Sequence, residues 1–204
     1  MSIAEMLANL EDEAVMAEVK KQISDGVEPM KIFEACQEGM NIVGKKFQDG
    51  EYFVSDLMMS SAIFKDVSDV IKPLLGTEGE ATIGKVVLGT VEGDIHDIGK
   101  DLVHAMLSAG NFEVIDVGID APVDAFVNAL KENPDAKVLA LSCLLTTCYD
   151  SLKATVEAVK EAGLTDVKIM IGGGPVDQSV VDFSGADTYG ETAQDAVFIA
   201  KELM

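Results

Sequence analysis

The sequence contains no arginine and no tryptophan, and aromatic residues make up only 5% of it. All 15 basic residues are lysine, set against 36 acidic ones, so the formal net charge is −21. Such a chain repels phosphate backbones and anionic bilayers, which argues against nucleic acid and membrane as partners. Basic patches on other proteins would be attracted instead. Cysteine is scarce: Cys36, Cys143 and Cys148 are an odd set with no CxxC spacing, which argues against a disulfide framework and a zinc-ligand pattern. No apolar run is long enough to span a bilayer. The first residues lack the basic start and long apolar stretch of a secretion signal, so a reducing cytoplasm is the expected compartment.

Apolar residues account for 48% of the 204 positions, enough to fill real cores in one large domain or two small ones. The two halves differ in pattern. Residues 1–75 read as a bundle of four helices: a short one near 3–9, then 11–25, one opening at Pro29, and one from about Val54, with Ser55 a candidate cap, to Ile71 before Pro73. Residues 76–82, GTEGEAT, read as a linker. From 83 to 204 strands alternate with helices. Strands are expected at 86–91, 112–117, 138–142, 167–171 and 187–189, and helices at 100–108, 123–131, 152–162 and 192–203. The fold class is therefore α/β: a helical bundle followed by a Rossmann-like, flavodoxin-like, doubly wound parallel sheet of five strands.

Ligands of such sheets bind at the carboxyl ends of the strands. The loop after the first strand reads Glu92-Gly93-Asp94-Ile95-His96-Asp97-Ile98-Gly99-Lys100, the loop after the third Ser142-Cys143-Leu144-Leu145-Thr146-Thr147-Cys148, the loop after the fourth Gly172-Gly173-Gly174-Pro175, and the loop after the fifth Gly190-Glu191-Thr192. All four gather at one edge and make one site. It holds one of two histidines, flanked by carboxylates. Such a histidine can ligate a metal while its other ring nitrogen donates to Asp94 or Asp97. His104 is read as structural. A Ser-His-Asp triad using Ser142 is possible on residue type, but there is no G-x-S-x-G turn. The first loop also lacks a phosphate-binding G-x-x-x-x-G-K-[ST] pattern, and no G-x-G-x-x-G fingerprint follows the first strand. From the residues alone the reading stops at a cofactor site with a single histidine ligand.

Asp94-x-His96-x-x-Gly99, then Ser142-x-Leu144, then Gly172-Gly173, resembles the cobalamin-binding signature of methionine synthase and of corrinoid proteins in multi-component methyltransferase systems. The segment 53–73 is similar to the last helix of the cap in those proteins, so the resemblance covers nearly the whole chain. It implies cobalamin or a related corrinoid, cycling between cob(I)alamin and methylcob(III)alamin, with His96 as the lower axial ligand on cobalt and Asp94 tuning it. The displaced nucleotide tail would enter a slot lined by Ser142, Thr146, Gly172 and Gly173, with Tyr189 and Gly190 nearby. Phe53, Leu57 and Met58 would cover the upper face. One departure from the family pattern stands out. Where a Ser or Thr hydroxyl often bonds the aspartate, this chain has Cys148, a weak donor, so the relay is weaker or Thr147 or water substitutes.

The resemblance implies a methyl carrier. A substrate-specific methyltransferase would load it, a second would pass the methyl to a folate or coenzyme M, and a reductive activation protein would rescue it. Two further readings are a cobalamin-dependent sensor and the small subunit of an adenosylcobalamin mutase. A nucleotide-binding α/β domain without cobalt is a fourth, and it leaves His96 unexplained.

Overall fold

In the computed structural model of the chain, residues 1–75 and 82–204 are described, and the chain divides into two compact units, Met1–Ala81 and Thr82–Met204. The segment expected as a linker lies, apart from Thr82, outside the described residues.

The first unit holds α1 (Ile3–Ala8), α2 (Asp12–Ser24), α3 (Pro29–Gln48) and α4 (Val54–Leu75). A capping box starts α1: the Ser2 hydroxyl accepts from the Glu5 N–H at 3.2 Å, and the Ser2 N–H donates to the Glu5 carboxylate at 2.8 Å. Pro29 occupies the first turn of α3, where its missing N–H costs nothing. Each helix turns one apolar stripe inward. Leu7, Val15, Val19, Ile32, Cys36, Val43, Leu57, Val67 and Ile71 have no exposed surface, and the Phe33 and Phe64 rings lie 5.6 Å apart. Two expectations are corrected at α4. Its first turn is closed by Asp56, whose carboxylate accepts from the Phe53 N–H at 2.8 Å, and not by Ser55. The helix also runs on through Pro73 to Leu75. Proline removes one N–H and crowds the preceding turn, and the helix ends two residues after it.

The second unit holds β1 (Gly84–Thr90), α5 (Ile98–Ala109), β2 (Phe112–Asp116), α6 (Val123–Glu132), β3 (Ala136–Ser142), α7 (Tyr149–Glu161), β4 (Lys168–Gly172), α8 (Gln178–Ser184), β5 (Thr188–Gly190) and α9 (Ala193–Leu203). The strands form one parallel sheet in the order β2-β1-β3-β4-β5. β1 and β3 read as almost unbroken apolar runs because helices cover both faces. α5 packs with α9, while α6 packs with α7 and α7 with α8.

The sequence reading misses α8 altogether. Asp177 caps it, accepting from the Ser179 and Val180 N–H groups at 2.9 and 3.3 Å. Its seven residues are too few for a helical period to stand out. A 3-10 turn over Thr146–Cys148 also precedes α7, which starts earlier than expected.

Candidate functional site

The strand order reverses at β1 and β3, so the loops following these two strands face each other at the carboxyl edge of the sheet. Between them sits Asp94, a carboxylate with no exposed surface. One oxygen accepts from the His96 ring Nδ1 at 2.7 Å and from the His96 backbone N–H at 3.1 Å. The other accepts from the backbone N–H groups of Leu144 and Leu145 at 2.6 and 3.0 Å. Burial pushes the Asp94 pKa up. The bonds from the Leu145 N–H, the His96 ring, the His96 N–H and the Leu144 N–H outweigh it and hold the group below the ordinary carboxylate value. Asp94 is thus a fixed anion, and it fixes the histidine. A neutral imidazole whose Nδ1–H donates a hydrogen bond to a carboxylate presents Nε2 as a bare lone pair. The Thr90 hydroxyl adds a third restraint by donating to the His96 carbonyl at 3.2 Å.

The His96 side chain is 48% exposed, and large apolar side chains stand in the open beside it in sequence and across the loop. Ile95, Ile98, Leu144 and Leu145 are 67, 59, 40 and 36% exposed, and Ile119 is exposed in the loop after β2. An apolar patch around a bare ligand nitrogen is a surface made to be covered. Gly99 carries the same sign. A Cβ there would meet no protein atom within 4 Å, so the protein's own packing does not require glycine at this position. Among the described residues, no group of three or more His, Cys, Asp or Glu side chains could hold a metal ion. A metal bound by His96 alone must bring its other ligands with it, as in a macrocycle. The residues present therefore fit a large, flat, largely apolar metallo-cofactor.

The comparisons with known proteins agree. Residues 84–198 match the B12 binding domain family, and residues 2–72 match a second B12 binding domain model. The chain belongs to the B12-binding corrinoid proteins. It is 39% identical over 206 residues to the dimethylamine corrinoid protein of Methanosarcina barkeri, covering 99% of this chain and 95% of that one. It is 39% identical over 202 residues to a corrinoid protein of Desulfitobacterium hafniense, covering 95% and 92%. Among solved structures it superposes on a chain of the methanol:cobalamin methyltransferase complex MtaBC from Methanosarcina barkeri with a TM-score of 0.86 at 30% identity, covering 99% of this chain and 78% of that one. A cobalamin-binding protein from Desulfitobacterium hafniense DCB-2 gives a TM-score of 0.81 at 37% identity, covering 99% and 97%.

Within this family setting, the remaining expected site residues fall as follows. Ser142 ends β3 and pairs in register with Thr90 and with Gly172. Gly172 pairs in turn with Gly190, and Ile171 with Tyr189. Thr90, Ser142, Gly172 and Gly190 therefore form one row along the sheet edge. Gly173 has φ +143, and a Cβ there would fall 1.9 Å from the Cys143 carbonyl oxygen, so only glycine lets these two loops meet. Thr146 is exposed at the start of the 3-10 turn, and Tyr189 is partly buried against the apolar core. Asp97 is exposed at the start of α5 and makes no capping bond, and the His96 ring bonds Asp94. Cys148 is buried with its sulfur 3.9 Å from the Thr147 hydroxyl, and the Asp94 oxygens are taken by the four N–H groups above. Phe53 belongs to the other unit, where it is 70% exposed at the amino end of α4. Leu57 is fully buried in that bundle, while Met58 is exposed.

Three contributors were not anticipated. Asp120 accepts from the Gly93 N–H at 2.7 Å and donates its own N–H to the Asp94 carbonyl at 2.9 Å, tying the β2 loop to the histidine loop. A carboxylate in a loop at the same edge is a signal the sequence offered. Leu145 acts through its backbone, which no side-chain motif reveals. Lys100 is buried and bonds Asp101 at 2.7 Å and also Asp116, anchoring the first turn of α5 to the end of β2.

Proposed function

We propose that this chain is a corrinoid methyl carrier serving methyltransferases. The observation that carries the reading is the Asp94–His96 pair: a buried anion holding a half-exposed imidazole so that Nε2 points its lone pair outward among exposed apolar side chains. When bound, the corrinoid's cobalt supplies both the nucleophile that accepts a methyl group and the centre that gives it up. The protein supplies the rest. His96 would hold the cobalt, and Asp94 would set its tautomer and basicity. Gly99 and the isoleucines Ile95 and Ile98 would lie against the corrinoid. Ser142, Thr146, Gly172, Gly173, Tyr189 and Gly190 line the slot for the nucleotide tail.

In the helical unit, Phe53, Val54, Met58 and Met59 form an exposed apolar group at the amino end of α4. The chain works in the cytoplasm, where its three free cysteines stay reduced. Its partners are a substrate-specific methyltransferase, a second methyltransferase with a folate or coenzyme M acceptor, and a reductive activation protein. The relatives' names, dimethylamine and trimethylamine corrinoid protein, support this reading over a sensor or a mutase subunit.

The test is anoxic reconstitution with hydroxocobalamin, removal of free cofactor, and a visible spectrum beside a His96→Ala variant. Retained corrinoid with a histidine-ligated spectrum in the native chain, lost in the variant, is the expected result. A folded native chain that keeps no corrinoid sinks the proposal.

A further inference from the structure

The tip of the histidine loop, from Ile95 to Gly99, is exposed at every residue, so burial does not hold it in shape. The residues that flank the tip are tied down instead. On one side the Gly93 N–H donates to the Asp120 carboxylate at 2.7 Å, and the Asp94 carbonyl accepts from the Asp120 N–H at 2.9 Å. On the other side Lys100, only 4% exposed, bonds Asp116 through its Nζ. Asp116 ends β2, and Asp120 follows in the loop after that strand. Both feet of the histidine loop therefore stand on one short segment of chain, residues 116–120.

That segment is itself fixed to the sheet. The Val117 N–H donates to the Leu88 carbonyl at 2.8 Å, the Thr90 N–H to the Gly118 carbonyl at 2.9 Å, and the Ala121 N–H to the Thr90 carbonyl at 3.0 Å. The Asp116 carboxylate also accepts from the Gly118 N–H at 2.8 Å. The Asp120 clamp is the unusual part of this brace. Gly93 and Asp120 are both exposed, so water could serve the Gly93 N–H and no burial demands the bond. Asp120 nevertheless takes φ +48, a left-handed conformation that a Cβ disfavours and that aspartate tolerates through bonds from its short side chain to nearby backbone. A strained residue that grips an exposed N–H just ahead of a candidate metal ligand points to control of position.

We propose that Asp120 is a positioning residue for His96. By holding the Gly93 N–H and the Asp94 carbonyl together, it fixes the step of chain that leads into Ile95 and His96, and so keeps the imidazole in place before a corrinoid arrives. This rests on the reading of His96 as the cobalt ligand. The consequence is preorganisation: a loop already in its binding shape loses less freedom when the cofactor is bound. Part of the corrinoid affinity, and of the histidine ligation itself, then depends on a carboxylate that acts through His96.

Two variants separate the clamp from the backbone conformation. Asp120→Gly takes the left-handed conformation without strain but removes the carboxylate, whereas Asp120→Asn keeps Oδ1 as an acceptor and tolerates the same φ. Each full chain is titrated with hydroxocobalamin and its visible spectrum recorded. Asp120→Gly should bind about tenfold more weakly, with a smaller share of the bound cofactor in the histidine-ligated form, while Asp120→Asn should stay within about twofold of the native chain. Amide exchange of the native apo chain gives a check that needs no variant: the Gly93 N–H, though exposed, should exchange at least about tenfold more slowly than an unstructured amide. Free exchange at Gly93 overturns the inference. So does a folded Asp120→Gly chain with native affinity and spectrum, or an Asp120→Asn chain as impaired as Asp120→Gly. A native chain that retains no corrinoid instead removes the carrier reading on which the inference stands.

Discussion

In the helical unit, two buried hydroxyls are satisfied within one turn of their own helix. The Ser60 hydroxyl donates to the Leu57 carbonyl at 2.9 Å, and the Ser68 hydroxyl donates to the Phe64 carbonyl at 2.8 Å. In the α/β unit the buried carboxylate of Asp94 draws two of its donors from Leu144 and Leu145, on another strand's loop. The apolar surfaces differ in the same sense. The α/β unit exposes isoleucine and leucine around its most constrained polar group. Locally satisfied polar groups can be kept by any helix. A carboxylate that needs two loops of the sheet to satisfy it, and that exists to aim a third group, marks a site. The contrast says where substitutions will cost structure and where they will cost binding.

The largest effect should come from Asp94→Ala. It strands the Leu144 and Leu145 N–H groups and releases the His96 ring, and it should destabilise the α/β unit by about 4 kcal/mol. Hydrogen exchange at Leu144 and Leu145 reads this directly; unchanged protection there would erase the contrast just drawn. Leu57→Ala comes next, opening a cavity in the bundle at a cost of about 3 kcal/mol, measurable as lost protection in α3 and α4. Phe53→Ala, four residues earlier and just ahead of the same helix, should change stability by less than about 0.5 kcal/mol because the side chain is exposed.

Lys100→Met should cost about 2 kcal/mol, less than a fully buried pair because Asp101 and Asp116 keep some contact with water. Its pH signature sharpens the comparison. Burial lowers the Lys100 pKa, but the bonds and charges of Asp101 and Asp116 outweigh this and raise it above the ordinary value. A group whose folded pKa is raised contributes stability that is fully present below the unfolded value of 10.5 and is lost as pH rises through the folded value. Alkaline unfolding curves should therefore fall less steeply for Lys100→Met than for the native chain. Thr192→Ala, which removes the α9 cap, should cost about 1 kcal/mol in thermal unfolding.

Much of this was legible in the amino-acid order. The four apolar stripes of residues 1–75 announce a bundle, because a period of 3.6 follows from helix geometry alone, and the short apolar runs that alternate with helical segments after residue 83 announce a parallel sheet. The Asp94-x-His96-x-x-Gly99 loop was visible because its chemistry lies in side chains that sit close together in sequence. What was hidden depended on the backbone or on distance. Helix α8 was too short to show a period. The cap of α4 passed to Asp56 because its carboxylate reaches back to the Phe53 N–H, which residue type at Ser55 could not reveal. The bonds to Asp94 come from backbone N–H groups whose position is set by the β1–β3 pairing.

The sequence by itself thus determined the two-part architecture and the histidine at a sheet edge, since hydrophobic period and motif spacing are local properties of the chain. Only the tertiary structure decided that the Leu144 and Leu145 N–H groups hold Asp94, and that Asp120 and Lys100 brace its loop. Each of these rests on groups far apart in the chain that meet only once the strands are in register.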